Sequence, residues 1–179
     1  MSEFEGNAPG ADGTARVVVV MGVSGTGKTT IGRLVAEKLG VEYADADDFH
    51  PPANIAKMSG GTPLDDTDRA PWLDAIGRWA AERSGRGAVV SCSALKRAYR
   101  DRLRSHAPDI VLLHLTGDRR LITERQAERK GHFMPRSLID SQFATLEAPG
   151  PDERVVTVDV APEPEQVAAT AVDLLRAPE

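Results

Sequence analysis

Apolar residues recur along this chain in two alternating patterns, which predict strands and helices in turn. Four short runs rich in valine, isoleucine and leucine have the length and composition of buried strands: residues 16–21, 88–92, 109–115 and 154–160. A fifth, more polar run at 41–46 has the length of a strand. Most stretches between them carry an apolar residue every three or four positions, which is typical of amphipathic helices: residues 30–39, 53–58, 68–83, 93–103, 119–129, 135–146 and 164–175. This alternation predicts a three-layer α/β/α fold, in which helices cover both faces of a five-stranded parallel sheet.

The ends of two predicted helices carry their own signals. Gly40 follows the helix at 30–39, where a glycine commonly ends a helix. Asp65 or Thr67 precedes the helix at 68–83, and either side chain can accept a hydrogen bond from the first free backbone N–H groups.

Length and composition fit one domain. The chain has 179 residues, 41% of them hydrophobic, which is enough for one core but leaves no room for a second domain. Residues 1–15 show no apolar periodicity, so we expect a disordered leader there and a single domain over residues 16–179.

Charge and cysteine content exclude several classes of protein. The net charge is −5 and the basic residues are interspersed with acidic ones, which argues against a nucleic-acid partner. A single cysteine, Cys92, rules out an internal disulfide and fits a reducing compartment. No apolar run approaches membrane-spanning length, and the first fifteen residues lack the features of a signal peptide. We therefore expect a soluble cytoplasmic protein with no membrane partner.

The first predicted strand is followed by a glycine-rich loop at residues 22–29 that matches the phosphate-binding pattern G-x-x-x-x-G-K-[ST] at every fixed position. Such a loop wraps its backbone N–H groups around a nucleotide's phosphates, and the helix that follows adds its positive end. Lys28 is expected to reach the β- and γ-phosphates, and the Thr29 hydroxyl to ligate Mg²⁺. The residues expected to bind the nucleotide are Gly22, Val23, Ser24, Gly25, Thr26, Gly27, Lys28, Thr29 and Thr30.

Acidic residues follow the second predicted strand. Because parallel strands end at one edge of a sheet, Asp45 and Asp47 are expected to face the same crevice as the phosphate-binding loop. Asp47 could hold or deprotonate an acceptor hydroxyl, and Asp45 could order the water shell of Mg²⁺. The alternative, a solvated acidic turn or a helix cap, stays open on the sequence alone.

Two arginines suggest a mobile helical lid over residues 119–135. Arg125 and Arg129 lie four positions apart, on one helical face, just before a glycine, and could bring guanidinium groups over the transferred phosphate. A solvated charged helix is the open alternative. His50 and His132 could bind substrate hydroxyls, or could be ordinary loop histidines.

Several further segments match the sequence motifs of a known family. They occur in unbroken order over about residues 16–160: MGVSGTGK at 21–28, Asp47 with His50 and Pro51, NIAKM at 54–58, Pro63 and Leu64 followed by DDTDRAPWL at 65–73, CSALKRAYRD at 92–101, RKGHFM at 129–134 and QFATLE at 142–147. Together they resemble bacterial gluconate kinases of the small P-loop type.

This resemblance implies ATP- and Mg²⁺-dependent phosphorylation of D-gluconate at its 6-hydroxyl, by a homodimer. It also implies that Asp47 lies near the phosphoryl acceptor and that residues 125–132 belong to the lid. A gluconate site needs cations for the carboxylate and polar groups for the hydroxyls. The candidate cations are Lys57, Arg69, Lys96 and Arg100, and the candidate polar groups are His50, Ser93, His132 and Gln142.

Three other interpretations remain at this stage. The same fold and reaction could serve another acceptor, such as shikimate or a nucleoside. A P-loop ATPase would transfer phosphate to water and would need a residue that positions that water. A non-catalytic nucleotide-binding module would leave the lid arginines and the strand-end acids without a task.

Overall fold

The structure is a computed structural model that describes residues 15–128 and 136–177. Its strands are β1 (Ala15–Met21), β2 (Glu42–Asp45), β3 (Arg86–Ser91), β4 (Val111–Thr116) and β5 (Val155–Asp159). Its helices are α1 (Lys28–Leu39), α2 (Pro52–Ser59), α3 (Asp66–Glu82), α4 (Arg97–His106), α5 (Arg119–Glu128), α6 (Arg136–Thr145) and α7 (Pro164–Arg176), with a 3₁₀ helix at Ala46–Phe49.

The five strands form one parallel sheet with β1 at its centre, in the order β2-β3-β1-β4-β5. In β1, Val19 pairs with Val90 of β3 on one side and with Leu112 of β4 on the other. Parallel pairing continues outward to β2 and to β5, so every strand ends at the same edge of the sheet. The predicted five-stranded parallel α/β fold is confirmed.

Hydrophobic cores lie on both faces of the sheet, which explains the unbroken apolar sequence of β1. Its odd-numbered residues 17, 19 and 21 enter one core, and Val18 and Val20 enter the other. Helices α3 and α4 cover the first core with Leu73, Ile76 and Leu103. Helices α1 and α7 cover the second with Ile31, Val35, Val167 and Ala171. A strand that is buried on both faces needs apolar side chains in both directions.

Two connections differ from their predicted form, and both lie beside the carboxyl edge of the sheet. The helix predicted at 93–103 begins only at Arg97, because residues 92–96 run as a loop in which Ala94 has φ 45°. A left-handed residue cannot continue a right-handed helix. Strand β2 ends at Asp45 and passes directly into the 3₁₀ helix. The sequence expectation of a strand through residue 46 was wrong by one position.

The signals at the two helix ends are confirmed. Gly40 ends α1 in the left-handed conformation, with φ 69°. Asp65, not Thr67, caps α3: its side chain accepts the Asp68 N–H, and the Asp68 side chain accepts the Asp65 N–H in return. This reciprocal arrangement is a capping box.

Some predicted segments lie partly or wholly outside the residues that the structure describes. Of the expected leader, only Ala15 is described, and it belongs to β1. Helix α5 forms the start of the expected lid, but residues 129–135, including Arg129 and His132, lie outside the described residues. Within the described part of the chain, no helix is long and apolar enough to cross a membrane.

The close approach of α1 to the sheet at Gly32 predicts a stability effect. A Cβ at this position would lie 2.6 Å from Ser91 Oγ and 2.9 Å from the Tyr43 ring. We expect Gly32→Ala to lower the free energy of unfolding by about 1 to 2 kcal/mol, because the steric cost exceeds the gain in helix propensity. Urea denaturation measures it.

The matched control is Gly60→Ala, at the end of α2, where a Cβ would make only an ordinary 3.5 Å contact with the Ala56 carbonyl oxygen. We expect its stability to stay within about 0.5 kcal/mol of wild type. Equal stabilities for the two alanine variants would show that α1 can move away from the sheet at no cost.

Candidate active site

The phosphate-binding loop connects β1 to α1 at the carboxyl edge of the sheet. Its glycines adopt backbone angles that other residues rarely reach: φ is 149° at Gly22, 92° at Gly25 and 85° at Gly27. A Cβ on Gly22 would also lie 2.8 Å from the Leu115 carbonyl oxygen. The glycines at these positions therefore form a tight turn that leads directly to the start of α1.

A cavity of about 460 Å³ opens along this loop. The loop, the first turn of α1, the segment that follows β5 and Arg125 line it. This combination of backbone N–H groups with an apolar wall suits a nucleotide's phosphates and base. The lining residues are Ser24, Gly25, Thr26, Gly27, Lys28, Thr29, Thr30, Ile31, Arg125, Val160, Pro162, Glu163, Pro164 and Val167.

Lys28 folds back over the loop that precedes it. Its Nζ donates a hydrogen bond to the Val23 carbonyl oxygen at 3.1 Å. The Thr26 hydroxyl donates to the same oxygen at 2.9 Å and is buried. The ammonium group therefore lies inside the loop, at the end where it can meet the β- and γ-phosphates.

Asp45 joins the phosphate-binding loop to the second acidic residue. The Thr29 hydroxyl donates to Asp45 Oδ2 at 3.3 Å, and Asp45 Oδ1 accepts the Asp47 N–H at 2.9 Å. The indole of Trp72 donates to the Ala46 carbonyl oxygen at 2.7 Å and fixes the 3₁₀ helix that carries Asp47. Thr29 and the two acids therefore lie close together, as predicted from the strand ends, while their roles at the site stay predictions. Asp45 is also the N-cap of the 3₁₀ helix, which is the alternative that the sequence left open.

The environment makes Asp47 a stronger base than a free aspartate. Asp47 is exposed at the edge of the sheet, but partial desolvation of its carboxyl group and the neighbouring Asp45 carboxylate raise its pKa above the usual range, more than His50 and Lys28 lower it. A raised pKa strengthens a carboxylate as an acceptor for a hydroxyl proton.

His50 lies beside Asp47 in a fixed orientation. Its ring stacks on Trp72 with the centroids 4.5 Å apart, and its Nδ1 is 3.3 Å from the Asn54 amide nitrogen. Burial lowers the pKa of His50, although the Asp47 carboxylate raises it in part. The imidazole is therefore mainly neutral at pH 7 and can both donate and accept hydrogen bonds.

Two of the candidate cations meet around one acid. Arg69 and Lys96 both lie 3.5 Å from Asp66, one on each of its carboxylate oxygens, and both approach the Tyr99 ring. Around Lys57, acids outnumber cations, because this one lysine is paired with both Asp68 and Asp65. Positive charge is therefore in excess at the first cluster and negative charge at the second.

The structure corrects the expectation for Arg100. Its side chain is fully buried and donates to both carboxylate oxygens of Glu153, which is itself buried. The remaining donors go to the carbonyl oxygens of Ala94, Leu95 and Glu147. A guanidinium group enclosed in this way cannot reach a substrate carboxylate. Instead, it holds the loop at residues 92–96 in place, including the left-handed Ala94.

Three further predicted residues contact the phosphate-binding loop or lie beside the cavity. The carbonyl oxygen of Ser93 accepts the Gly22 N–H at 3.3 Å, so the loop after β3 touches the start of the phosphate-binding loop. Arg125 donates to the carbonyl oxygens of Val160 and Ala161 beside the cavity. Gln142 was expected at the substrate, but its Oε1 accepts the backbone N–H of Ser24 at 2.6 Å.

Sequence reasoning missed three residues at this site. Gln126 is buried and its Oε1 accepts the Ser24 hydroxyl hydrogen bond at 3.3 Å. The signal was present, because Gln126 lies four positions after the buried Ile122 on the same helical face. Trp72 was taken as a core residue, and Glu153 was not considered. Their partners lie far along the chain, where no local pattern marks them.

Comparison with known proteins agrees with this geometry. A family model described as an AAA domain matches residues 17–149. The gluconokinase of Gluconobacter oxydans is 49% identical over 154 residues, which cover 85% of this chain and 86% of that protein. The thermoresistant gluconokinase of Escherichia coli is 40% identical over 163 residues, with 89% and 93% covered. The crystal structure of a gluconokinase from Sinorhizobium meliloti has a TM-score of 0.80 at 47% identity, with 89% of this chain and 91% of that chain covered.

The parallel sheet, the phosphate-binding loop at its carboxyl edge and the acids facing that loop define a P-loop kinase. The relatives extend over most of the chain and include a solved structure with the same fold. The chain belongs to the gluconokinase family.

The buried ion pair beside this site predicts a pH-dependent loss of stability. Burial would raise the pKa of Glu153, but hydrogen bonds from Arg100, the Gly150 amide and Arg104 lower it to about 2. At pH 7, we expect Glu153→Gln to reduce the free energy of unfolding by about 3 kcal/mol, because Arg100 then lacks its counter-charge. Below the ordinary glutamate pKa of 4.5, the wild type loses the same contribution as pH approaches 2, so the two proteins converge.

Urea unfolding at pH 7 and pH 3 measures this difference. The control is Glu37→Gln on the exposed side of α1, which should stay within about 0.5 kcal/mol of wild type at both pH values. A Glu153→Gln effect of the same size at both pH values would show that the ionised carboxylate does not stabilise the fold.

Proposed function

We propose that this protein transfers the γ-phosphoryl group of ATP to the 6-hydroxyl of D-gluconate, giving 6-phosphogluconate and ADP. Membership of the gluconokinase family carries this proposal. The site supports it with the parts that phosphoryl transfer to an alcohol needs: a phosphate cradle, a base beside it and cations near the acceptor. In this role, the protein feeds gluconate catabolism towards the pentose phosphate pathway.

Four residues of the site are proposed to take part in the transfer step. The acceptor oxygen forms a bond to the γ-phosphorus while the bond from that phosphorus to the β,γ-bridging oxygen breaks. Asp47 accepts the proton of the attacking hydroxyl, a task that its raised pKa favours. Lys28 neutralises charge that develops on the phosphate oxygens. Arg125 and Arg129 are proposed to add positive charge during the same step.

Magnesium is proposed as the metal that accompanies ATP. The Thr29 hydroxyl and the Asp45 carboxylate lie side by side and offer the oxygen ligands that Mg²⁺ prefers. Thr29 would bind the ion directly and Asp45 through water. A bound Mg²⁺ would neutralise phosphate charge and orient the triphosphate.

Arg69 and Lys96 are the proposed partners of the gluconate carboxylate. These two cations share one carboxylate, that of Asp66, whereas Lys57 faces two acids, Asp65 and Asp68. An incoming anion is therefore attracted more strongly to the first cluster.

The hydroxyls of gluconate are assigned to the remaining polar candidates, His50, Ser93 and His132. The neutral His50 can donate a hydrogen bond to these hydroxyls or accept one from them.

The protein is also proposed to be a cytoplasmic homodimer. Both the dimer and the location rest on the family resemblance, and the single cysteine fits a reducing compartment.

A coupled assay of ADP release with Mg²⁺ and ATP tests the proposed substrate. D-gluconate should give a rate far above those with shikimate, glucose, glycerate or no acceptor, because glucose lacks the carboxylate, shikimate lacks the terminal hydroxyl, and glycerate has a shorter chain between these two groups. Equal rates with all acceptors, in protein shown to bind ATP, would overturn the substrate assignment and leave the fold untouched.

Replacing the proposed base separates its role from that of the metal ligands. We expect Asp47→Asn to lower kcat by about 10² to 10⁴-fold while ATP affinity stays near wild type, because the amide keeps the shape but loses the basic oxygen. The wild-type activity should also fall at low pH as Asp47 is protonated. Its raised pKa places this fall above the ordinary aspartate value of 3.8. Loss of ATP affinity with acceptor use intact would reassign Asp47 to the metal.

A further inference from the structure

A single peptide unit of the phosphate-binding loop is held from both sides. The Val23 carbonyl oxygen accepts hydrogen bonds from Lys28 Nζ at 3.1 Å and from the Thr26 hydroxyl at 2.9 Å. The N–H of the same peptide, on Ser24, donates to Gln142 Oε1 at 2.6 Å. A trans peptide is planar and directs its C=O and N–H to opposite sides, so fixing one group fixes the other.

Gly22 and Gly25 flank this peptide, and both have positive φ, which glycine adopts at low cost. The buried Val23 side chain anchors one end of the peptide. The direction of the peptide plane also depends on a restraint at its N–H. The short bond from Gln142 is such a restraint, and it comes from α6, 118 residues further along the chain.

A second glutamine acts on the same residue. Gln126 of α5 is only 3% exposed, and its Oε1 accepts the hydrogen bond of the Ser24 hydroxyl. Gln126 Oε1 would also lie 3.3 Å from a Cβ on Gly25. The amide oxygens of α5 and α6 thus converge on Ser24, one on its hydroxyl and one on its backbone.

From this geometry, we propose that Gln142 is a positioning residue for Lys28, acting through the Val23–Ser24 peptide. Its amide oxygen holds the Ser24 N–H, which orients the Val23 carbonyl, which in turn holds the Lys28 ammonium group at the phosphate end of the loop. Gln126 steadies Ser24 from the other side. This inference rests on the proposed phosphoryl transfer and assigns Gln142 to the nucleotide instead of to gluconate.

Removing the acceptor oxygen of Gln142 tests the proposal. Gln142→Met keeps the length and shape of the side chain but cannot hold the Ser24 N–H. We expect kcat to fall about tenfold, because a small misplacement of a catalytic group is costly, while KM for gluconate stays within about twofold. Gln142→Glu keeps an acceptor oxygen and should recover most of kcat. Its added negative charge should raise KM for ATP. Gln166→Met, on the exposed side of α7, is the matched control and should behave as wild type.

A double-mutant cycle with Lys28→Ala separates positioning from general structural support. If Gln142 acts through Lys28, Gln142→Met should change the residual kcat of the Lys28→Ala protein by less than about twofold. A fluorescent ADP analogue measures nucleotide binding in every variant without any acceptor. A wrong assignment of gluconate as the substrate would leave this nucleotide-binding measurement unchanged, so the two failures can be told apart. Gln142→Ala replaces the methionine variant if circular dichroism shows that the latter is misfolded.

Three results would overturn the proposal. These are a wild-type kcat for the variants that lack the acceptor oxygen, an equal loss of kcat in the wild-type and Lys28→Ala backgrounds, or a Gln142→Glu protein no more active than Gln142→Met. An increase in KM for gluconate with kcat unchanged would return Gln142 to the substrate site.

Discussion

The common direction of the five strands is the constraint on which the site depends. Because all strands are parallel, the loops after β1, β2, β3 and β5 all leave the sheet at one edge. The loop after β1 holds phosphate, the turn after β2 carries Asp45 and Asp47, and the loop after β3 carries Ser93 and Lys96. The segment after β5 lines the cavity. The backbone topology therefore brings the residues proposed to act in catalysis, which are far apart in sequence, to one edge of the sheet.

Local sequence was sufficient for the parts of the fold that depend on local physics. The apolar run of β1 predicted a strand buried on both faces, and glycines at 22, 25 and 27 predicted the turn that only positive φ permits. Asp45 and Asp47 were placed correctly because strand direction alone puts them beside the phosphate-binding loop. These inferences needed no knowledge of distant partners.

The errors concern residues whose role is set by distant partners. Arg100 was expected among the cations for the gluconate carboxylate, but Glu153 and three carbonyl groups enclose it. Gln142 was placed at the substrate, whereas α6 brings it to Ser24. The helix predicted from residue 93 failed for a related reason. The carbonyl oxygens of Ala94 and Leu95 accept hydrogen bonds from Arg100, and that of Leu95 also accepts the Glu147 N–H, instead of helical N–H groups.

The enclosure of Arg100 also bears on the order in which the chain acquires its active form. The loop at 92–96 reaches its final shape only when Glu147 and Glu153 are in place, and Glu153 lies 53 residues further along the chain. Burying the Arg100 guanidinium group without this carboxylate would leave an uncompensated charge in the protein interior, so its enclosure requires Glu153. During synthesis, strands β1 to β4 can begin to form the sheet. Ser93 and Lys96 reach their final positions only after the segment before β5 has emerged from the ribosome. Nascent chains that end before residue 153 would therefore carry an intact phosphate-binding loop without a finished acceptor side.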